Sequence, residues 1–101
     1  MKPIVIHSAA RAELDDAIAF YEKCARGLGL DLQLKVQEAI KKIQRRPESW
    51  PPHKDTGFRK YFLKRFPFTV FYVELGDRIW IGAIAHTSRR PDYWKRRAQN
   101  S

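Results

Sequence analysis

His86 stands directly ahead of Thr87, Ser88, Arg89 and Arg90. An imidazole titrates near neutrality, so this side chain could act as general base or general acid. The same position also suits a structural task, in which His86 caps the preceding segment through backbone or the region of Tyr93, and both uses stay open. His7 and His53 have no sequence neighbour that singles them out. Farther on, Pro91-Asp92-Tyr93-Trp94-Lys95-Arg96-Arg97 interleaves aromatic rings with cations. That mixture stacks on nucleobases or grips an acidic peptide. Equally, Tyr93 and Trp94 could fold back over the open edge or face of a small sheet. Cys24 is alone, with no Cys or His at ligand spacing, so neither a disulfide framework nor a metal site is expected, and no cofactor.

The remaining cations fall into runs. Lys41, Lys42, Arg45 and Arg46 come first, then Arg59, Lys60, Lys64 and Arg65, then the tail with Arg89 and Arg90. Residues 1–40 hold five Lys/Arg against six Asp/Glu, whereas residues 41–101 hold fifteen against five, so a net of −1 adjoins a net of +10. Such asymmetry makes a positive potential that attracts polyanions and acidic proteins. The first run has a sufficient structural reason, since cations near a helix C-terminus complement its dipole. At 101 residues the chain suits one domain over 1–101. No apolar run is long enough to span a bilayer and no export signal is visible at Met1-Lys2-Pro3, so a cytoplasmic protein without membrane contact is expected.

The elements that must position these residues follow from periodicity. Residues 3–7 are short and β-branched and stop at Ser8, a good helix N-cap, which predicts a strand feeding a helix. Over 8–26, Leu14, Ala17, Ile18, Tyr21, Cys24 and Ala25 recur at helical spacing, leaving Glu13, Asp15, Asp16, Glu22 and Lys23 outward. Gly27 and Gly29 tolerate a turn, and a second helix over 30–46 carries Leu32, Val36, Ala39, Ile40 and Ile43 before Pro47 ends it. The pair should form an antiparallel hairpin. Residues 48–57, with Pro51, Pro52 and Gly57, predict a loop, in which Trp50 serves as a packed anchor. Three strands follow over 58–63, 68–75 and 78–86, then a basic tail over 87–101. The result is an α+β domain of order β-α-α-β-β-β, the helical hairpin packed on one face of a small, mainly antiparallel sheet.

Ala12-Glu13-Leu14 with Tyr21-Glu22, Gly27-Leu28-Gly29, Ile43 to Pro47, Arg59, the run L-K-R-F-P-F-T-V-F-Y from Leu63 to Tyr72, and His86-Thr87-Ser88-Arg89-Arg90-Pro91-Asp92-Tyr93-Trp94 come in a characteristic order. In that order the chain resembles the RelE/ParE toxin superfamily, and within it the ParE or plasmid stabilisation branch. The resemblance implies the toxin of a type II toxin-antitoxin pair, held inactive by an acidic antitoxin in a hetero-oligomer. Its ParE side implies inhibition of a large target such as DNA gyrase. Its RelE side implies a ribosome-dependent mRNA endoribonuclease.

The two branches share a fold, so side chains must separate them. By resemblance, Lys60 and Tyr93 fall near RelE-like catalytic positions, with His86 and Arg89 completing an altered catalytic set. Thr69 and Thr87 stand where arginines are expected, and Phe62 where a second lysine is. Each preorganised donor lost costs about 3 kcal/mol of transition-state stabilisation, which weighs against the nuclease. Arg59 matches a ParE-like position and is assigned to partner contact, together with Lys64, Arg65, Arg89, Arg90, Tyr93 and Trp94.

Overall fold

The computed structural model describes residues 1–99; Asn100 and Ser101, the end of the expected tail, lie outside the described residues. The elements run β1 (Ile4–Ile6), α1 (Ser8–Cys24), α2 (Leu28–Arg45), a 3₁₀ turn (Pro47–Ser49), β2 (Arg59–Phe62), β3 (Phe68–Glu74), β4 (Ile79–His86) and a single turn of helix, α3 (Arg96–Gln99). The sheet order is β1-β4-β3-β2, with β1 parallel to β4 and the other pairs antiparallel. The expected β-α-α-β-β-β order and α+β layering are those of the molecule. Among the described residues no helix is long and apolar enough to cross a membrane.

Both helices cover one face of the sheet. Leu14 from α1 and Leu32, Val36, Ala39 and Ile43 from α2 pack on Phe68, Val70, Tyr72, Ile79, Ile81 and Ile84. The buried Tyr72 hydroxyl donates to Pro47 O at 2.6 Å, pinning the end of α2 to the sheet. Trp50 sets its ring against Tyr61 at 4.6 Å, anchoring the loop before β2.

Several local expectations change. The α1 N-cap is His7 and not Ser8: His7 Nδ1 accepts from Ala9 N–H at 3.0 Å, giving that histidine a partner after all. Cys24 and Ala25 are exposed, because α1 ends at Cys24 and Ala25 is extended. α2 begins at Leu28 rather than residue 30. Gly27, at φ 84°, makes the turn, and the Glu22 carboxylate accepts from Gly27 N–H at 2.9 Å and Gly29 N–H at 3.0 Å. Glu22, expected to face outward, is therefore a cap for the following helix.

The β3–β4 register steps from Phe71↔Ala83 to Tyr72↔Ile81, leaving Gly82 without an opposite residue. This bulge resets the alternation, so that Trp80, Ala83 and Ala85 all face away from the helices.

Candidate functional site

The sheet face opposite the helices carries its own apolar cluster: Phe58, Trp80, Ala83, Ala85 and Trp94, with Phe71, Val73, Leu75 and Tyr93 against it. Trp94 stacks on Phe71 at 4.4 Å and meets Phe58 edge-on at 4.8 Å. It is only 1% exposed. The two uses left open for the tail aromatics thus divide, since Trp94 is a lid on the sheet and has no surface left for a partner. Its expected partner contact is corrected on that ground.

Two sets of polar contacts hold the tail in this position. The first centres on Glu13. β1 pairs with β4 only as far as Ile81, so β4 has an unpaired edge from Gly82 onward. The Glu13 carboxylate accepts from Ile84 N–H at 3.0 Å, from the Tyr93 hydroxyl and from both Arg97 terminal nitrogens at 3.1 Å, while Arg97 also donates to Gly82 O at 2.9 Å. Side chains from α1 and the tail thereby satisfy the edge that β1 is too short to cover. Burial, together with the bond to Glu13, pushes the Tyr93 phenol up to about 12. Arg89 lies over the Tyr93 ring at 4.1 Å and Arg97 beside it at 5.2 Å.

The second set centres on Asp92, which adopts a left-handed φ of 59°. Its carboxylate is 2.6 Å from Lys54 Nζ and 2.6 Å from His53 Nε2, joining the 50s loop to the tail. Hydrogen bonds from Lys54, then His53, hold this carboxyl well below the usual carboxylate range. The His53 ring packs on Phe71 at 5.0 Å.

Between tail and sheet lies a cleft of about 220 Å³ bordered by Phe62, Thr69, His86, Arg89, Arg90 and Tyr93 and floored by Phe71, Trp94 and His53. Of the four residues weighed for acid-base chemistry, His86, Arg89 and Tyr93 line it. Lys60 does not; it lines a separate groove at the outer sheet edge with Lys42, Trp50, Phe62 and Lys64. His86 Nδ1 accepts from Ser88 N–H at 3.0 Å and its ring lies 5.1 Å from Phe68, the arrangement of a strand-end cap. Thr69 is 4% exposed where a catalytic arginine would be needed.

The partner-contact candidates are spread over both grooves. Arg89 and Arg90 stand at the mouth of the cleft, and Lys64 belongs to the outer groove. Arg59 turns its guanidinium to Trp50 O at 2.7 Å, and Arg65 faces Asp31 at 3.4 Å. Among the described residues no three His, Cys, Asp or Glu side chains come together as metal ligands.

Residues 4–91 match the family model described as ParE toxin of type II toxin-antitoxin system, parDE. The chain belongs to the ParE toxin family. The same fold is seen in the chromosomal ParDE TA system from P. aeruginosa, with a TM-score of 0.74, 24% identity, and coverage of 85% of this chain and 96% of that one. No curated protein matches the sequence. In this ParE-family chain, sequence periodicity missed Glu13, Arg97, His53 and Asp92 as organising residues. A signal existed for Glu13. It lies three residues after Ala10 and four before Ala17, both against the core, so it borders the buried stripe of α1. For the other three no local signal exists, because their side-chain hydrogen-bonding partners lie 38 to 84 positions away.

Proposed function

We propose that this ParE-family protein poisons a large cellular target, DNA gyrase being the foremost candidate, without catalysis, and that an acidic antitoxin neutralises it in the cytoplasm. The observation that carries this reading is the family match over residues 4–91. The separation of Lys60 from the other three acid-base candidates supports the non-catalytic part. A metal-free nuclease needs a base, an acid and phosphate-binding cations converging on one ribose. Here Lys60 is in another groove, Tyr93 holds its proton tightly, and His86 is occupied at Nδ1 by a backbone N–H. An acidic antitoxin suits a net charge of +9, concentrated after residue 40.

The test is expression without a partner. Growth should arrest with induction of a DNA-damage response, and purified protein should inhibit gyrase supercoiling. Cleavage of ribosome-bound mRNA at defined positions, abolished by Lys60→Ala, His86→Ala or Tyr93→Ala, would overturn the reading in favour of the endoribonuclease.

A further inference from the structure

We propose that β1 is a self-association edge, on which a second copy of this chain pairs antiparallel and joins the two sheets into one. β1 and β2 are the edges of the sheet, and they are finished differently. Along β2 the preceding segment covers part of the ladder, since Lys60 N–H donates to Pro51 O at 3.0 Å and His53 N–H to Phe58 O at 2.8 Å. Lys60 and Lys64 add charge there, and lysines on an edge oppose pairing with another copy. β1 has neither protection. Ile79 N–H donates to Pro3 O and His7 N–H to Ile81 O, each at 2.9 Å, so the odd-numbered residues turn their backbone toward β4. Strand alternation then turns the N–H and C=O of Ile4 and Ile6 outward, and among the described residues no hydrogen bond reaches them. Gln44 closes this edge only at Lys2 O, at 2.9 Å.

The exposed row is complementary to itself. With a two-fold axis through Val5, Ile4 of one copy lies opposite the partner's Ile6, and each such pair exchanges both of its N–H···O bonds. Val5, 40% exposed, meets the partner's Val5 on the face away from the helices, while Ile4 and Ile6 carry the helix-covered core across the junction. Cross-strand pairs of β-branched residues favour a sheet, and the nearest charge, Lys2, is already matched with Glu74 at 2.9 Å. The partition of charge points to the same occupant. Residues 1–40, which contain β1, carry a net of −1, so an acidic partner is attracted to the other side of the sheet and not to this edge. The two-fold also leaves the cationic β2 edges at opposite ends of the joined sheet. Three residues per copy bury far less than the roughly 800 Å² per partner of a standard interface, so the dimer is weak, with a dissociation constant on the order of 100 μM. Its formation is independent of what the protein poisons.

The experiment follows the full chain by sedimentation equilibrium and by amide exchange in NMR, from about 5 to about 500 μM. Over that range the apparent mass should rise toward the dimer. The Ile4 and Ile6 amides should exchange about threefold more slowly at the top of it, with the Val5 amide, already turned to β4, unchanged. Val5→Lys sets like charges across the two-fold and should raise the dissociation constant at least about tenfold, while Phe62→Lys on β2 should leave it within about twofold. Added salt should tighten the dimer, because two copies of net charge +9 repel. The proposal falls if the chain stays monomeric throughout, if Val5→Lys dimerises as well as the parent, if Phe62→Lys is the change that abolishes dimers, or if salt weakens them. It falls too if the Ile4 and Ile6 amides slow only when an octaglutamate peptide is added, which would give the edge to an acidic partner. Should Val5→Lys lack a cooperative thermal transition, the amide exchange of the parent chain decides.

Discussion

Glu13 is the centre of one of the two polar sets that hold the tail. It and Arg97 are 14% and 18% exposed, so neutralising one partner leaves the other charge largely desolvated. Glu13→Gln should lower stability by about 3 kcal/mol, read from the denaturant midpoint at constant slope, whereas Tyr93→Phe should cost about 1 kcal/mol. Equal effects of the two would show that the ion pair contributes little. The perturbed pKa values predict pH dependence at both ends. Tyr93 is raised from the usual tyrosine value to about 12, so its contribution is complete below about pH 10 and is lost as pH rises toward 12. Tyr72, pushed up mainly by burial, behaves likewise. Absorbance titration should show two of the four tyrosines ionising late, and one late step should vanish in Tyr93→Phe. Asp92 is depressed, so its contribution is present above the unfolded carboxylate pKa of about 3.9 and is lost as pH falls further. Asp92→Asn should flatten the acid limb of the stability curve; an unchanged limb would remove the Lys54–His53–Asp92 junction from the account.

At the scale of elements, the helical hairpin turns on two glycines that act for different reasons. Gly27 needs its left-handed φ of 84° but has open space where a Cβ would sit. Gly29 has ordinary helical backbone, yet a Cβ there would lie 2.5 Å from Ile18 O, in the heart of the α1–α2 contact. Gly27→Ala should cost about 1 kcal/mol of backbone strain, and Gly29→Ala about 2–3 kcal/mol, since α1 must move as a body. Thermal denaturation ranks the two, and the reverse order would refute the close-approach argument. The hairpin, its apolar stripes and the stop before Pro47 were all legible in the chain, because α2 in particular repeats apolar residues strictly at helical spacing. The cap by Glu22 was not legible. A carboxylate one turn before a glycine looks like any solvated residue until the chain reverses and brings two amide N–H groups to it.

For the whole molecule the relevant quantity is the placement of charge. Lys42, Lys60 and Lys64 border the outer groove, Arg89 and Arg90 the cleft, and the half-exposed Phe62 lies between, bordering both. Many other cations are matched locally: Lys2 with Glu74, Arg65 with Asp31, Arg78 with Asp77, Arg97 with Glu13. Lys42 is itself matched with Glu38. This leaves Lys60, Lys64, Arg89 and Arg90 as the cations around Phe62 without an acidic neighbour among the described residues, and in the proposed reading this face steers an acidic partner. Association with an acidic antitoxin should therefore slow as salt rises, and Lys64→Glu with Arg90→Glu should slow it by at least about tenfold at low ionic strength. Stopped-flow mixing checks this. Rates unaffected by both changes would place the antitoxin elsewhere.

Order and type of the elements, the helix-covered face and the cationic second half were written in local sequence, since period, turn residues and composition act over a few positions at a time. Tertiary structure alone decided which residues share a site. Lys60 and His86, grouped by resemblance, part company because β2 carries Lys60 to the outer edge. Glu13 and Arg97, 84 positions apart, meet because β1 ends at Ile6 and leaves the rest of β4 an edge whose amides and carbonyls need partners. That unmet hydrogen-bonding demand exists only once the sheet has formed, so no reading of neighbouring residues contains it.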